Sequence, residues 1–307
     1  LSLWGLILVR WIGKVKINTS ISSVTFLGLG LIAGSIALAL RKTGFTGKLL
    51  GYGRSRERLE QALSRGLIDE FTLDLDYALE NADLVILAAP ALASEKILRQ
   101  ILPKSNVPDG PIVTDVGSVK GNLLRVALET CGSFPPKLVL GHPIAGSEKS
   151  GNGAATEDLF EGRRVVLTTL PSNDQNSVEL LTEMWRSLGA EVVEMPVIEH
   201  DKFLSATSHL PHILAYNLVN VLSKKFEGNN IFDYAGGGFR DFTRIAGSDP
   251  TMWRDIALAN REEILKSMDD FSSDLNLLRL AIEQNNAKSL LEIFTRAKNV
   301  RDSFFET

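Results

Sequence analysis

Short, continuously apolar runs separated by helix-like stretches fill the first two thirds of this chain. Val24-Thr25-Phe26-Leu27, bounded by serines and a glycine, reads as a strand. The same reasoning predicts strands at 48–52, 84–89 (ended by Pro90), 112–116, 138–140, 165–168 and 192–194. Helices are predicted between them, over 35–41 and over 56–64 with Gly66 as its stop. Because the strand runs are apolar throughout instead of alternating, both sheet faces must be covered, as in a parallel sheet. After about residue 195 the strand signals vanish. Ile213, Leu214, Leu218, Val221 and Leu222 share one helical face. Ser248-Asp249-Pro250 is a helix start, with Asp249 as cap and Pro250 in the first turn. Apolar positions from Met252 to Leu275, and again over 287–305, predict further amphipathic helices. The expected class is α/β: an N-terminal Rossmann-type, doubly wound parallel sheet and an all-helical C-terminal domain. The apolar helix faces suit a dimer interface or packing within the chain. The expected boundaries are an N-terminal extension over 1–21, a dinucleotide-binding domain over 22–195, and a helical dimerisation and substrate domain over 196–307.

Composition narrows the class. The 307 residues are 44% hydrophobic and 23% charged, as in ordinary globular proteins. A net charge of −4 offers no general attraction to nucleic acid or an anionic membrane, so an anionic substrate must be held by a local cluster of bases. The one cysteine, Cys131, forms no internal disulfide, which fits a cytoplasmic protein. Residues 1–9 are apolar apart from Ser2, too short a run to span a bilayer. Arg10, Lys14 and Lys16 follow that run where a signal peptide would carry its charges first. The segment is expected to be an appended arm or the product of an upstream start.

Gly28-Leu29-Gly30-Leu31-Ile32-Ala33-Gly34 matches G-x-G-x-x-A, after a predicted strand and at the opening of a helix. Gly28 permits the tight turn, Gly30 lets backbone approach a pyrophosphate, and the small Ala33 allows close packing. Ala89 and Pro90, ending another strand, join Gly28 to Ile32 in the expected cofactor site. Where an NAD site usually carries a carboxylate after the second strand, this chain has Gly53-Arg54-Ser55-Arg56. Two guanidiniums and a hydroxyl suit a 2′-phosphate, so NADP is expected over NAD.

His142, one of only four histidines, sits in the glycine-bracketed segment Gly141 to Gly151, straight after an apolar strand. That places it at the carboxyl edge of the sheet, where open α/β sheets bind ligands, and it can exchange a proton near neutral pH. No His/Cys/Asp/Glu set has metal-ligand spacing.

At this point the sequence resembles the prephenate/arogenate (cyclohexadienyl) dehydrogenase family. The resemblance rests on five ordered blocks: GLGLIAGS from Gly28, TDVGSVKG from Thr114, the His142 block, TSHLPH from Thr207 and GGGFRDFTRIA from Gly236. It spans roughly residues 22 to 300. It implies oxidative decarboxylation of a cyclohexadienol in tyrosine biosynthesis. Hydride leaves C4 for a nicotinamide, the ring carboxylate leaves as carbon dioxide, and the ring becomes aromatic. On that reading His142 accepts the 4-hydroxyl proton, and Ser118 hydrogen-bonds His142 or the substrate, or simply caps a helix. Lys120 touches cofactor or substrate, or stays at the surface. Arg244 binds a substrate carboxylate, with Arg240 second unless it pairs with Asp241. Gly237, in its glycine run, lets backbone approach the substrate or acts as a hinge. His209 is favoured over His212 to reach the substrate, while His200, between Glu199 and Asp201, reads as a surface residue. Glu148 is a candidate to meet the ammonium of arogenate. A homodimer is implied. With no regulatory domain following in this sequence, inhibition by tyrosine would be competitive at the active site.

Two other readings remain. A 6-phosphogluconate or β-hydroxyacid-type dehydrogenase shares this architecture but relies on a lysine where this chain offers histidines. A catalytically silent NADPH-binding sensor would keep the fold without turnover; intact His142, Ser118 and Arg244 weigh against it.

Overall fold

The computed structural model describes residues 21–146, 151–226 and 231–305. Strands and helices alternate through β1 (Ser23–Leu27), α1 (Leu31–Lys42), β2 (Lys48–Tyr52), α2 (Arg56–Ser64), β3 (Glu70–Thr72) and α3 (Leu75–Leu79). They continue through β4 (Leu84–Leu87), α4 (Ala91–Ser105), β5 (Ile112–Asp115), α5 (Gly121–Cys131) and β6 (Leu138–Pro143). Then β7 (Arg164–Thr168), α6 (Gln175–Ser187) and β8 (Glu191–Glu194) complete an eight-stranded sheet of order β3-β2-β1-β4-β5-β6-β7-β8. Side chains part by alternation along the central strands. Val24, Phe26, Leu84 and Ile86 pack beneath one face with Ile36, Leu40 and Trp185; Val85 and Leu87 pack beneath the other with Leu98, Ile101 and Leu123. Burial on both faces is the physical reason these runs are apolar throughout. The strand order reverses between β1 and β4, which opens a crevice at their carboxyl ends.

The structure corrects the sheet expectation twice. β3, a half-buried edge strand of three residues with Phe71 as its only apolar side chain, carries too little pattern to be seen in sequence. β7 pairs β6 antiparallel, with His142 opposite Val166. A parallel neighbour needs a crossover, usually a helix, and the described residues between β6 and β7 contain only a short 3₁₀ turn, Asn152–Ala154. The expected arm lies outside the described residues except for Ile21, which is buried against the sheet.

The helical part begins with α7 (Val197–Leu204), which runs through a π turn (Ser205–His209) directly into α8 (Leu210–Lys225). His209 and Pro211 therefore lie in the interior of one long helical run. Pro211 has no amide to give and its ring crowds the preceding turn. The ladder widens just there, with the Leu210 amide bonding the Ser205 carbonyl. α9 (Gly237–Thr243), a 3₁₀ turn (Arg244–Gly247), α10 (Pro250–Ala259), α11 (Arg261–Glu283) and α12 (Ala287–Phe305) follow. Asp249 caps α10, accepting from the amides of Thr251 (2.7 Å) and Met252 (3.1 Å). Leu275, Leu277, Leu280 and Ile282 of α11 and Leu291, Phe294 and Val300 of α12 stand exposed. Among the described residues no helix is long and apolar enough to cross a membrane.

Candidate active site

At the carboxyl edge of β1, the Gly28 amide donates to the Tyr52 carbonyl at 2.9 Å, with φ at +103°. A Cβ there would lie 2.7 Å from the Ala88 carbonyl oxygen, so both conformation and space require glycine. Gly30 precedes α1 with no capping side chain, and a Cβ on it would meet nothing within 4 Å. Open space therefore faces uncapped amides at a helix start, the arrangement that receives a phosphate. A cleft of about 830 Å³ opens here. Of the residues expected to hold cofactor, Gly28, Leu29, Gly30, Gly53, Arg54, Ser55, Ala89 and Pro90 line it. Leu31 and Ile32 form the first turn of α1, outside the lining.

Arg56 is a correction. It turns away from the cleft, its guanidinium over the Phe71 ring at 5.6 Å and 3.8 Å from Glu60. Arg58 and Lys96 line the cleft instead, with Arg54. Ser55 caps α2, accepting from the Arg58 amide at 3.4 Å. Among the described residues Asp249 is the only carboxylate in the lining, and it is engaged as the α10 cap. Three cations and a glycine-lined entrance fit a dinucleotide.

Further along the same edge, Asp115 at the end of β5 gathers the neighbouring backbone. It accepts from the amides of Gly117 (2.8 Å) and Gly141 (3.1 Å). Lys120 is fully buried, donating to the Asp115 carboxylate and, at 2.6 Å, to the Gly141 carbonyl. Burial pushes the Asp115 carboxyl up and the Lys120 ammonium down, each opposed by the attraction between them. Lys120 is therefore neither a surface residue nor, with its ammonium so engaged, a substrate contact. It ties β6 to the loop before α5.

That tie aims His142, which is 8% exposed at the end of β6. Its Nδ1 lies 2.9 Å from Nε2 of His200 on α7, and Nδ1 of His200 lies 2.7 Å from Asp201 Oδ1. Asp201 also accepts from the amides of Lys120 (2.9 Å) and Gly121 (2.7 Å), so one carboxylate joins the helical part to the start of α5. The carboxylate can only accept from His200 Nδ1–H. A neutral His200 then accepts through Nε2 from His142 Nδ1–H, which leaves His142 Nε2 with a free lone pair. Burial first, then His200, the Lys120 ammonium and His209, each set against a second positive charge beside it, hold His142 well below the usual histidine range, so its ring is neutral at physiological pH. His200, expected at the surface, is wholly buried at the centre of this chain.

His209 is also buried, with Nδ1 3.1 Å from Asn260 Nδ2 and no partner for Nε2 among the described residues. Burial pushes it down to about 4, against the pull of Asp201. His212 stacks on Trp253, ring centroids 3.6 Å apart, and donates from Nδ1 to the Ser208 carbonyl at 2.8 Å. Burial lowers it against the Ser208 bond, and the Arg244 charge adds to the lowering. Arg244 lies in the 3₁₀ turn packed on α8; Arg240 and Gly237 are exposed on α9. Among the described residues no ion pair joins Arg240 to Asp241, and Ser118 neither bonds His142 nor caps α5, whose cap position is Lys120. Glu148 lies outside the described residues.

A glycine-lined cleft with phosphate-binding features, and a buried neutral histidine further along the same sheet edge, define a nicotinamide-dependent oxidoreductase of two parts. Residues 36–194 match the nucleotide-binding domain of prephenate dehydrogenase, and residues 197–296 match its dimerization domain. The chain is 37% identical to a prephenate dehydrogenase of Bacillus subtilis, over 93% of its own length and 76% of the relative's. A crystal structure of prephenate dehydrogenase from A. aeolicus in complex with hydroxyphenyl propionate and NAD+ superposes with a TM-score of 0.87 at 36% identity, covering 94% of this chain and 99% of that one. Synechocystis arogenate dehydrogenase superposes at 0.74 and 29% identity, covering 92% and 99%. The chain belongs to the prephenate dehydrogenase family. It is an oxidoreductase of the prephenate/arogenate type, whose reaction is an oxidative decarboxylation in tyrosine biosynthesis.

Proposed function

We propose that this chain is an NADP-preferring dehydrogenase of prephenate or arogenate, in which His142 accepts the 4-hydroxyl proton. The observation that carries the reading is the free Nε2 of a neutral, buried His142 at the same sheet edge as the glycine-lined cleft. A bound nicotinamide supplies the acceptor for the C4 hydride. The chain does the rest. Uncapped amides of α1 and the Gly28 turn hold the pyrophosphate, and Arg54 with Arg58 and Lys96 meets the 2′-phosphate. His142 takes the hydroxyl proton as the carbinol becomes a carbonyl, and loss of carbon dioxide then makes the ring aromatic. Arg244, next to the His212–Trp253 stack, binds a substrate carboxylate, with Arg240 and Gly237 on the adjoining helix α9 as further contacts. His209, with an unpartnered buried N–H, offers a donor to the substrate. Ser118 lies in the loop leading to α5, at the edge of the same site. The exposed apolar faces of α11 and α12 pair two copies of the chain into a homodimer.

Initial rates with prephenate and with arogenate, each with NADP and NAD, test the reading. Turnover preferring NADP supports it, and the better ring substrate names the enzyme. Failure to oxidise either substrate, in a protein that still binds reduced cofactor, would refute the proposed reaction.

A further inference from the structure

We propose that His200 and Asp201 are positioning residues for His142, fixing its tautomer and receiving the proton it takes from the substrate. The inference rests on His142 being the base. Its geometry is a continuous line of hydrogen bonds: His142 Nδ1 to His200 Nε2 at 2.9 Å, and His200 Nδ1 to Asp201 Oδ1 at 2.7 Å. The rings meet edge to face, centroids 5.1 Å apart and planes at 66°. With Asp201 ionised, only one arrangement of protons satisfies both contacts. His200 carries its proton on Nδ1, His142 carries its own on Nδ1, and His142 Nε2 is the open base.

The same line has somewhere to send the charge. When His142 Nε2 bonds the substrate proton, the His142 Nδ1–H bond breaks and that proton bonds His200 Nε2. His142 ends neutral in its other tautomer, His200 becomes the imidazolium, and Asp201 stays anionic. No atom is lost and no electron changes owner within the chain of three. The surroundings favour this distribution. His142 faces the Lys120 ammonium and the buried His209, which disfavour a positive charge on it, and the Asp115 carboxylate nearby is already engaged by Lys120. His200 touches the carboxylate of Asp201 directly. Burial alone would raise Asp201, but the bond from His200 and the amides of Lys120 and Gly121 outweigh it and keep the carboxyl low. The group that stabilises the proton is thus anchored in α7 and gripped by the amides that open α5, two imidazoles removed from the reacting oxygen.

The test uses the full chain with its better ring substrate and NADP, comparing wild type, His142→Asn, His200→Phe and His200→Gln. Turnover and KM are followed against pH, ring tautomers by nitrogen-15 NMR of the imidazoles, and integrity by binding of reduced cofactor. In His200→Phe turnover is expected to fall roughly 100-fold, the low end of a general base's contribution. KM should change little. The acid limb of the turnover profile should move, because the base is then a lone buried imidazole with no neighbour to take its proton. His142 should no longer be held as a single tautomer. In His200→Gln the amide oxygen accepts from His142 Nδ1–H, so the tautomer returns while turnover stays low, since an amide cannot take the proton. If His200→Phe fails to bind cofactor, the glutamine variant decides alone. Wild-type turnover and pH profile in either His200 variant, with His142→Asn inactive, overturns the inference and leaves the proposed function standing. Wild-type turnover in His142→Asn overturns both.

Discussion

The ammonium of Lys120 is wholly buried between the Asp115 carboxylate and the Gly141 carbonyl, one residue before His142. The same loop passes its Lys120 and Gly121 amides to Asp201. Stability and chemistry therefore share these residues. Lys120→Met leaves Asp115 buried without its counter-charge, which is expected to cost about 3–5 kcal/mol in urea unfolding. Turnover should fall as well, because the backbone that aims His142 is released. Adding Asp115→Asn should return part of the lost stability. A single mutant as stable as wild type would show the pair to be dispensable.

Arg54 stands exposed in the cleft lining, with no carboxylate where an NAD site usually carries one. Arg54→Asp should remove the attraction for a 2′-phosphate and supply an acceptor for ribose hydroxyls. The ratio of kcat/KM with NADP to that with NAD is expected to fall at least tenfold, about 1.4 kcal/mol. Arg58→Ala should move the ratio the same way and Arg56→Ala should leave it unchanged, since Arg56 faces the Phe71 ring. An unchanged ratio in Arg54→Asp rules out the assignment.

The Arg56 and Arg58 exchange illustrates what a sequence hides. The position after β2 was legible as cationic, but which guanidinium faces the cleft depends on helix phase, set by Ser55 as the α2 cap. The central strands were legible because burial on both faces leaves continuous apolar runs, as in Leu84 to Leu87. β3 was not, because an edge strand is only half covered. Periodicity carries no strand direction, so the antiparallel β7 escaped, although the lack of a helical apolar pattern in the sequence between β6 and β7 was a usable sign. His200 was misjudged from its charged neighbours. Val197 and Leu204, three residues before and four after it, share its helix face and mark the buried stripe.

Arg244 sits on the turn packed against α8, close enough for its charge to bear on His212. Arg244→Gln keeps hydrogen-bonding capacity while removing the charge and the fork. The expected outcome is a rise in KM of roughly 100-fold or more with a smaller loss in kcat, the pattern of lost binding common to ground and transition states. Steady-state kinetics with the better ring substrate read it directly. A KM like that of wild type would take the carboxylate role away from Arg244.

His209 couples stability to pH. Unfolded, it binds a proton below about 6.5; folded, burial holds it at about 4. Between those values the unfolded chain carries the extra proton, so stability rises with pH across the window and is lost as pH falls through it. The full effect is about 3 kcal/mol at that shift. Denaturant unfolding from pH 7 down to pH 4 should show the loss for wild type and a shallower slope for His209→Gln. Equal slopes would mean that His209 is not the group responsible.

The last prediction concerns assembly. α11 and α12 carry exposed Leu275, Leu291 and Phe294, apolar side chains that a lone helical hairpin has no reason to present to water. These helices close the region that matches the dimerization domain. Phe294 sits on α12, where a carboxylate in its place would have to be buried unpaired across a two-fold interface. Phe294→Asp is therefore expected to convert a dimer to a monomer in light scattering coupled to size exclusion. Far-ultraviolet circular dichroism should be retained, because the side chain makes little of the monomer's core: it is 56% exposed. A wild-type chain that runs as a monomer would contradict the assignment, and so would a dimer undisturbed by the substitution.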